Sequence, residues 1–178
     1  MQIEMKFPLV DEILAPWRWR LGKDYDGYRN HVIRMLNFCI SLHPLSDEAR
    51  QKLLIAGAFH DLGIWSDDTV DYLGPSVALA QKYLREQGLE AWSDEIGDII
   101  NFHHKLTAYD GAFELAEVFR QGDLVDFSKG MVKFGLTREY IGRVKSIIPN
   151  AGFHKRLLQL SLRQLSRHPL NPLPMMKW

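Results

Sequence analysis

The spacing of apolar residues is the feature that most constrains how this chain can fold. Apolar side chains recur every three or four positions along most of the sequence, as Val32, Leu36 and Cys39 do within one segment. This period matches the turn of an α-helix and puts those side chains on one face. No run keeps the period-two alternation of a half-buried strand. The sequence therefore predicts an all-α fold, a compact bundle of about seven helices.

Capping residues and glycines indicate where the helices begin and end. Ser46 and Thr137 are typical N-cap residues, because a hydroxyl oxygen can accept a hydrogen bond from a backbone N–H of the first turn. Gly63 and Gly88 are typical of positions just after a helix. The predicted helices lie approximately within the following ranges: part of Phe7–Leu21, Asp24–Leu42 (with Asp26 as the alternative start), Ala49–Leu62, Pro75–Gln87, Asp94–His104, Ala112–Phe127, Thr137–Ile148 and Gly152–Arg167.

Composition excludes several classes of protein. Apolar residues make up 46% of the chain and charged residues 25%, which is ordinary globular usage and argues against disorder. The 22 basic and 22 acidic residues cancel, so the large positive surface that binds duplex nucleic acid is not expected. No stretch reaches the roughly 18 apolar residues that span a bilayer, and the N-terminus lacks a signal-peptide pattern. We therefore expect a cytoplasmic protein whose partners include neither a membrane nor duplex nucleic acid.

Cys39 and the C-terminal tail are assigned to structure rather than to chemistry. Cys39 is the single cysteine and has no CxxC partner, and its apolar helical surroundings predict a buried core thiol. The apolar, proline-rich tail over 169–178 could bury against its own core or against a second copy in a homodimer.

Four potential metal ligands fall on three of the predicted helices: His31, His60, Asp61 and Asp123. Imidazole nitrogen and carboxylate oxygen suit divalent Mn, Fe, Co, Ni or Zn, or Mg with its weaker preference for nitrogen. Successive residues on a helix are about 100° apart, so His60 and Asp61 can both reach one ion only beside a helix end, which Gly63 predicts. Asp61 also lies in an apolar run, where a carboxylate is costly to bury unless it is paired or binds a metal.

Each of these residues alone also has a purely structural interpretation. An HD dipeptide arises by chance in many proteins, Asp61 could be a polar group at a helix end, and His31 could be a surface residue near the start of its helix. The order and context of the four residues together favour the metal site.

Four stretches of the chain resemble the HD superfamily of metal-dependent phosphohydrolases. Their sequences are YRNHVIRM (28–35), AGAFHDLGI (56–64), INFHH (100–104) and QGDLVD (121–126). The family pattern is a His, an HD pair, often one or two later histidines and a distal Asp, on a helical scaffold. The resemblance covers roughly residues 25–129, and the HD element is its most specific part. Together with the length of the chain, the resemblance implies one HD-type domain over 1–178. Its metal-site core would lie at about 25–129, and its C-terminal helices and tail at 137–178.

The resemblance implies four metal ligands: His31, His60, Asp61 and Asp123. Asp126, one turn further on, is the competing choice for the last of them. Family members with two metals usually carry another histidine shortly before the helix that follows the HD loop, where this chain reads DTVDYLGP (68–75). One divalent ion per chain is therefore expected.

The implied reaction is hydrolysis of a phosphomonoester or phosphodiester, with a nucleotide as the usual theme. A metal-activated water would attack the phosphorus, and Asp61 would both bind the metal and orient that water. His103 and His104 could hold phosphate, donate a proton or serve a second ion, and their structural alternative is a polar helix end. The predicted catalytic residues are Asp61, His103 and His104.

Arg18 and Lys105 are the predicted cationic contacts to substrate. Arg18 lies in the sequence WRWR (17–20), where a base could stack on an indole while an arginine binds phosphate through two hydrogen bonds. Lys105 directly follows the histidine pair. The alternative is that the tryptophans anchor the N-terminal helix in the core and both cations are solvated.

Two functions other than phosphoester hydrolysis stay open at this point. One is a non-enzymatic regulatory module that keeps the fold and binds a metal or a nucleotide. The other is a di-iron oxygenase of the HD type, which needs more histidine and carboxylate ligands than the chain clearly offers.

Overall fold

The computed structural model of the protein describes residues 2–170 and 174–176, and it shows helices but no strand in them. The all-α prediction is confirmed for this part of the chain. The α-helices are α1 (Pro8–Leu14), α2 (Arg18–Leu21), α3 (Tyr25–Leu42), α4 (Asp47–Phe59), α5 (Gly63–Ser66), α6 (Leu73–Glu86), α7 (Ser93–Phe102), α8 (Glu114–Phe127), α9 (Arg138–Ile147) and α10 (Phe153–Arg167). Short 3₁₀ helices lie at Ala15–Trp17, Gly22–Asp24 and Glu90–Trp92. Seven of the α-helices have ten residues or more, namely α3, α4 and α6 to α10. None of the described helices is long and apolar enough to cross a bilayer.

The predicted N-caps of two helices are present. The Ser46 hydroxyl accepts a hydrogen bond from the backbone N–H of Ala49 at 3.1 Å, at the start of α4. Thr137 Oγ1 accepts one from the backbone N–H of Tyr140 at 3.1 Å, at the start of α9. Gly88 follows α6 with a φ of 69°, a left-handed conformation that glycine adopts without steric cost.

The predicted end of the helix that precedes Gly63 is wrong. α4 ends at Phe59, residues 60–62 form a turn, and Gly63 begins α5 instead of terminating α4. Gly63 is needed because its neighbours approach closely: its N–H donates to Ser76 Oγ at 2.9 Å, and an added Cβ would collide with the Tyr72 carbonyl oxygen. The glycine thus lets α5 pack against the start of α6.

α3 is the central helix of the bundle, and its most extensive packing is against α8. The two helices meet at Gly122, where an added Cβ would collide with Cys39 Sγ and lie 2.8 Å from the Met35 carbonyl oxygen. Cys39 is fully buried at this crossing, which confirms the predicted core thiol, and its burial raises the pKa of the thiol. The close crossing brings the α3 histidine and the α8 carboxylates within reach of one another.

The remaining helices surround this pair. α4 packs against α3, α7 packs against α8, α1 packs against α4, and α6 packs against both α4 and α7. α9 and α10 contact α3. The prediction for the tail falls partly on residues 171–173 and 177–178, which lie outside the described residues, and Met175 is partly buried against the core.

We expect Gly122→Ala and Gly142→Ala to change stability in opposite directions. The first forces a methyl group into the α3–α8 crossing and should lower the free energy of unfolding by about 1–3 kcal/mol. The second adds a methyl group on the exposed side of α9, where no heavy atom lies within 4 Å, and should raise it by up to about 1 kcal/mol. Urea denaturation followed by circular dichroism measures both. Equal stability of the two variants would contradict the close crossing.

Candidate metal centre

Three segments bring His31, His60 and Asp61 together and put Asp123 beside His31. His31 projects from α3, Asp123 from α8, and His60 and Asp61 from the turn after α4. His31 Nε2 lies 3.1 Å from His60 Nε2 and 3.3 Å from Asp123 Oδ1. Asp61 Oδ2 lies 3.3 Å from His60 Nε2 and 4.0 Å from His31 Nε2. All four side chains are at most 5% exposed, so this is a fully buried polar cluster.

Hydrogen bonds at Nδ1 orient two of the histidines. His60 Nδ1 donates to the Gly57 carbonyl oxygen at 2.8 Å, and His103 Nδ1 donates to the Ile100 carbonyl oxygen at 2.7 Å. A carbonyl oxygen can only accept, so the hydrogen is on Nδ1 and Nε2 of the neutral ring carries a lone pair. Both rings are therefore held in the tautomer that can bind a metal through Nε2.

A second group of potential ligands shares Asp61 with the first. Two sets of residues each offer ligand atoms that lie within 4.8 Å of one another: His31, His60 and Asp61, and Asp61, His103 and His104. α7 ends at Phe102 and not at His104 as predicted. Both histidines of the second set therefore lie in the turn that follows the helix, beside the Asp61 carboxylate.

Two buried atoms of the cluster have no hydrogen-bond partner: Asp61 Oδ1 and His103 Nε2. They lie 3.5 Å apart. A buried polar atom without a partner costs free energy and calls for an explanation, and a divalent cation would satisfy a carboxylate oxygen and an imidazole lone pair together. The residues present therefore fit a metal ion with mixed nitrogen and oxygen ligands. The two sets share Asp61 and are compatible with one ion or with two. The expectation of one ion per chain therefore stays a prediction.

Asp126 holds His31 from behind and does not face the cluster. Its carboxylate accepts hydrogen bonds from Arg34 Nε at 2.6 Å and Arg34 Nη2 at 2.7 Å. Its Oδ2 also accepts from His31 Nδ1 at 2.8 Å. Both oxygens are thus engaged, whereas Asp123 Oδ1 faces His31 Nε2, and this geometry favours Asp123 as the distal ligand. The sequence did not predict this role of Arg34. The feature that could have indicated it is a charged side chain one helical turn after His31 in an otherwise apolar helix.

Carboxylates on both sides of His31 increase its affinity for a proton. Burial alone lowers the pKa of His31, but the hydrogen bonds and charges of Asp123 and Asp126 outweigh it and raise the pKa from 6.5 to about 9. Burial raises the pKa of Asp126, but hydrogen bonds from His31 and Arg34 outweigh it and lower the pKa to about 2. Without a metal, His31 is therefore protonated at neutral pH, and a metal ion has to displace that proton.

Tyr72 is a further residue of the site that the sequence reasoning missed. It is 2% exposed, and its hydroxyl lies 2.6 Å from His104 Nε2.

Burial and the neighbouring His103 lower the pKa of His104 to about 3. Burial also lowers the pKa of His103, but the neighbouring Asp61 carboxylate outweighs it and raises that pKa. Of the two histidines, His103 is therefore better suited to donate a proton, and His104 stays neutral.

The cluster forms the floor of a cavity of about 130 Å³. The polar part of the lining consists of cluster residues together with Tyr72, Lys105 and Ser161. The walls are apolar side chains from α5, α8, α10, the segments after α5 and α7, and the described residues 175 and 176. The candidate metal centre thus opens onto a space that can admit a small molecule.

The two predicted cationic contacts lie in different places. Lys105 lines the cavity, although its Nζ also donates to Asp110 Oδ1 at 2.8 Å. The Arg18 guanidinium lies over the ring of Tyr25, 4.5 Å from the ring centroid, and Arg18 does not line the cavity. The structure therefore brings Lys105 to the candidate site but not Arg18.

Comparison of the chain with known protein families, with curated proteins and with solved structures found no match. The likeness to the HD superfamily therefore stays a hypothesis that rests on the four sequence stretches.

We expect Asp123 and Asp126 to contribute differently to metal affinity. Asp123→Asn removes a predicted ligand and should weaken Co²⁺ binding by more than about 100-fold. Asp126→Asn removes only the partner that orients His31 and should weaken it by about 10- to 100-fold. Titration of metal-free protein, followed by the visible absorption of Co²⁺, measures both. Asp94→Asn, on the exposed side of α7, is the matched control, and circular dichroism checks the fold of each variant. A larger loss for Asp126→Asn would assign the distal ligand to Asp126.

We expect metal binding to release a proton from His31. The pKa of His31 is about 9 in the metal-free protein, so its protonated form competes with the metal at all lower pH values. The affinity for Co²⁺ should therefore rise from pH 6.5 to 8, by up to about tenfold per pH unit. Calorimetry in buffers of different ionisation enthalpy counts the released protons. An affinity that does not change over this range would show that His31 is not protonated or not a ligand.

Proposed function

We propose that the protein is a metal-dependent hydrolase of phosphomonoesters or phosphodiesters. The observation that carries this proposal is the buried His and Asp cluster, whose unpartnered Asp61 Oδ1 and His103 Nε2 lie at the floor of a cavity. A structural metal site is usually closed by protein ligands, whereas a catalytic site keeps an open position. Access from a cavity supports the second kind of site, and the resemblance to the HD superfamily supports a phosphoester as the substrate.

A divalent ion held by this cluster would lower the pKa of a water molecule and polarise a phosphoryl oxygen. Asp61, which belongs to both ligand sets, would orient the attacking water. His103 Nε2 lies 3.5 Å from the same carboxylate. When His103 is protonated and not bound to the metal, it would donate a hydrogen bond to a phosphoryl oxygen or pass a proton to the leaving group. Lys105 at the cavity edge can add positive charge beside a bound phosphate.

Aromatic and apolar groups exclude water from this site. The ring of Phe153 stacks on the ring of His31, with centroids 4.1 Å apart and an interplanar angle of 12°. His31 is 1% exposed and His60 is fully buried. In such a water-poor environment the charges of the cluster act more strongly on a substrate than they would in bulk water.

We expect phosphate release from phosphoesters in the presence of Mn²⁺, Co²⁺ or Mg²⁺. The panel should contain nucleoside mono- and diphosphates, simple phosphomonoesters and a phosphodiester. His60→Ala should lower the rate by more than about 100-fold, because even the loss of a residue that only orients a ligand costs about 10- to 100-fold. His43→Ala is the matched control, since His43 lies away from the cluster and contacts Gln121 Oε1 at 3.0 Å.

Two outcomes would contradict the proposal. If wild type and His60→Ala were equally active or equally inert across the panel, the catalytic claim would fail, and metal binding without activity would indicate a regulatory module. Two irons per chain by metal analysis, with oxygen consumption and no phosphate release, would indicate the oxygenase instead.

A further inference from the structure

We infer that the substrate carries its phosphate on a small apolar group, about the size of a benzene ring or a short alkyl chain, and not on a nucleoside. This inference rests on the proposed function and narrows its substrate class. It follows from the walls of the cavity, its volume and its charges.

Above the metal-binding floor, the cavity walls are aliphatic and aromatic. They include Ile64 of α5, Leu124 and Phe127 of α8, and Leu157 and Leu160 of α10. A ligand that enters must bury its own surface against these side chains. Sugar hydroxyls and base edges would lose their water there and find few hydrogen-bond partners beyond Tyr72, Lys105 and Ser161, which is costly. A hydrocarbon group would instead gain free energy from leaving water.

The volume of the cavity limits the size of that group. It is about 130 Å³, whereas pockets for drug-sized ligands range over about 300–1,000 Å³. An engineered protein cavity of about 150 Å³ lined by Leu, Ile and Phe stays dry and binds benzene. The present cavity has a similar volume and similar upper walls but opens on one side, so a single ring or a short chain fills its enclosed part.

The charges around the cavity match one phosphate better than a chain of phosphates. Among the described lining residues, Lys105 is the only lysine or arginine, and Asp110 lies 2.8 Å from its Nζ. Polyphosphates are typically held by several donors, such as arginine side chains or the backbone N–H groups of a helix N-terminus. Asp61 and Asp123 add negative charge at the floor, so the phosphate would be neutralised chiefly by the metal.

A series of non-hydrolysable phosphonates tests the inference on the metal-loaded protein. We expect the affinity of Co²⁺-loaded protein for alkylphosphonates to rise about fourfold per methylene from methyl to butyl, and phenylphosphonate to bind at least about tenfold more tightly than AMP. Calorimetry measures each dissociation constant. Phosphate release from phenyl phosphate, butyl phosphate, AMP and ADP is measured in parallel.

Two leucines that follow one another in α10 provide matched variants. Leu157 lines the cavity, whereas Leu158 is 60% exposed. Leu157→Gln should remove most of the dependence of affinity on alkyl length while methylphosphonate binds as before. Leu158→Gln should leave the whole series unchanged.

The outcomes separate this inference from the proposed function. Tighter binding and faster hydrolysis of AMP than of the phenyl compounds would overturn the inference and leave the hydrolase intact. Affinity that rises with alkyl length and depends on Leu157, without hydrolysis of any ester, would overturn the hydrolase and support the apolar subsite. Equal affinity across the phosphonate series would overturn the inference whatever the activity.

Discussion

Three buried carboxylates set the central constraint on this structure, because a carboxylate removed from water is costly unless a positive group lies beside it. Asp126 meets that requirement within the protein, through Arg34 and His31. Asp61 and Asp123 are surrounded by imidazole rings, and Asp61 Oδ1 has no hydrogen-bond partner at all. The raised pKa of His31 has the same origin, since a proton there partly compensates the two carboxylates beside it. The cluster is therefore built to hold positive charge, and a divalent ion supplies more of it than a proton does.

The two ligand sets are not equivalent in their chemistry. In the first set, His31 and His60 direct Nε2 toward each other, and both Nδ1 atoms are held from behind by Asp126 and Gly57. In the second set, His104 Nε2 already has a partner, the Tyr72 hydroxyl at 2.6 Å. An ion that uses this nitrogen must replace that hydrogen bond. An ion in the first set must replace the contact between His31 Nε2 and His60 Nε2 at 3.1 Å together with the proton on His31. The two sets therefore differ in what an ion displaces, while the Asp61 carboxylate is common to both.

Local sequence patterns predicted the fold class, because the spacing of apolar residues is a short-range regularity, whereas the set of candidate ligands was predicted from the resemblance to the HD superfamily. The three- and four-residue spacing of apolar residues specifies helices whatever their arrangement, and the HD pair places two ligands side by side.

Contacts between distant segments were not predictable in this way. The role of Gly63 depends on Ser76 of α6 and on Tyr72, which directly precedes that helix. Arg34 could be assigned to Asp126 only after α3 and α8 were seen to cross. For Arg18 the local pattern was misleading. Its aromatic and basic neighbours suggested a contact with substrate, whereas its guanidinium lies over the ring of Tyr25 and Arg18 does not line the cavity.

The C-terminal part of the chain completes a site whose predicted ligands all lie before it. The Pro149 carbonyl oxygen accepts hydrogen bonds from Asn30 Nδ2 at 2.9 Å and Arg34 Nη1 at 3.1 Å, which fixes the turn that leads into α10. Phe153 then stacks on His31, and the next turns of α10 form one wall of the cavity. The ligands of the floor and the walls that contact a substrate therefore come from different parts of the sequence. Substitutions in α10 can alter which molecules enter without changing a single predicted metal ligand, so the substrate has to be inferred from α10 and not from the HD residues.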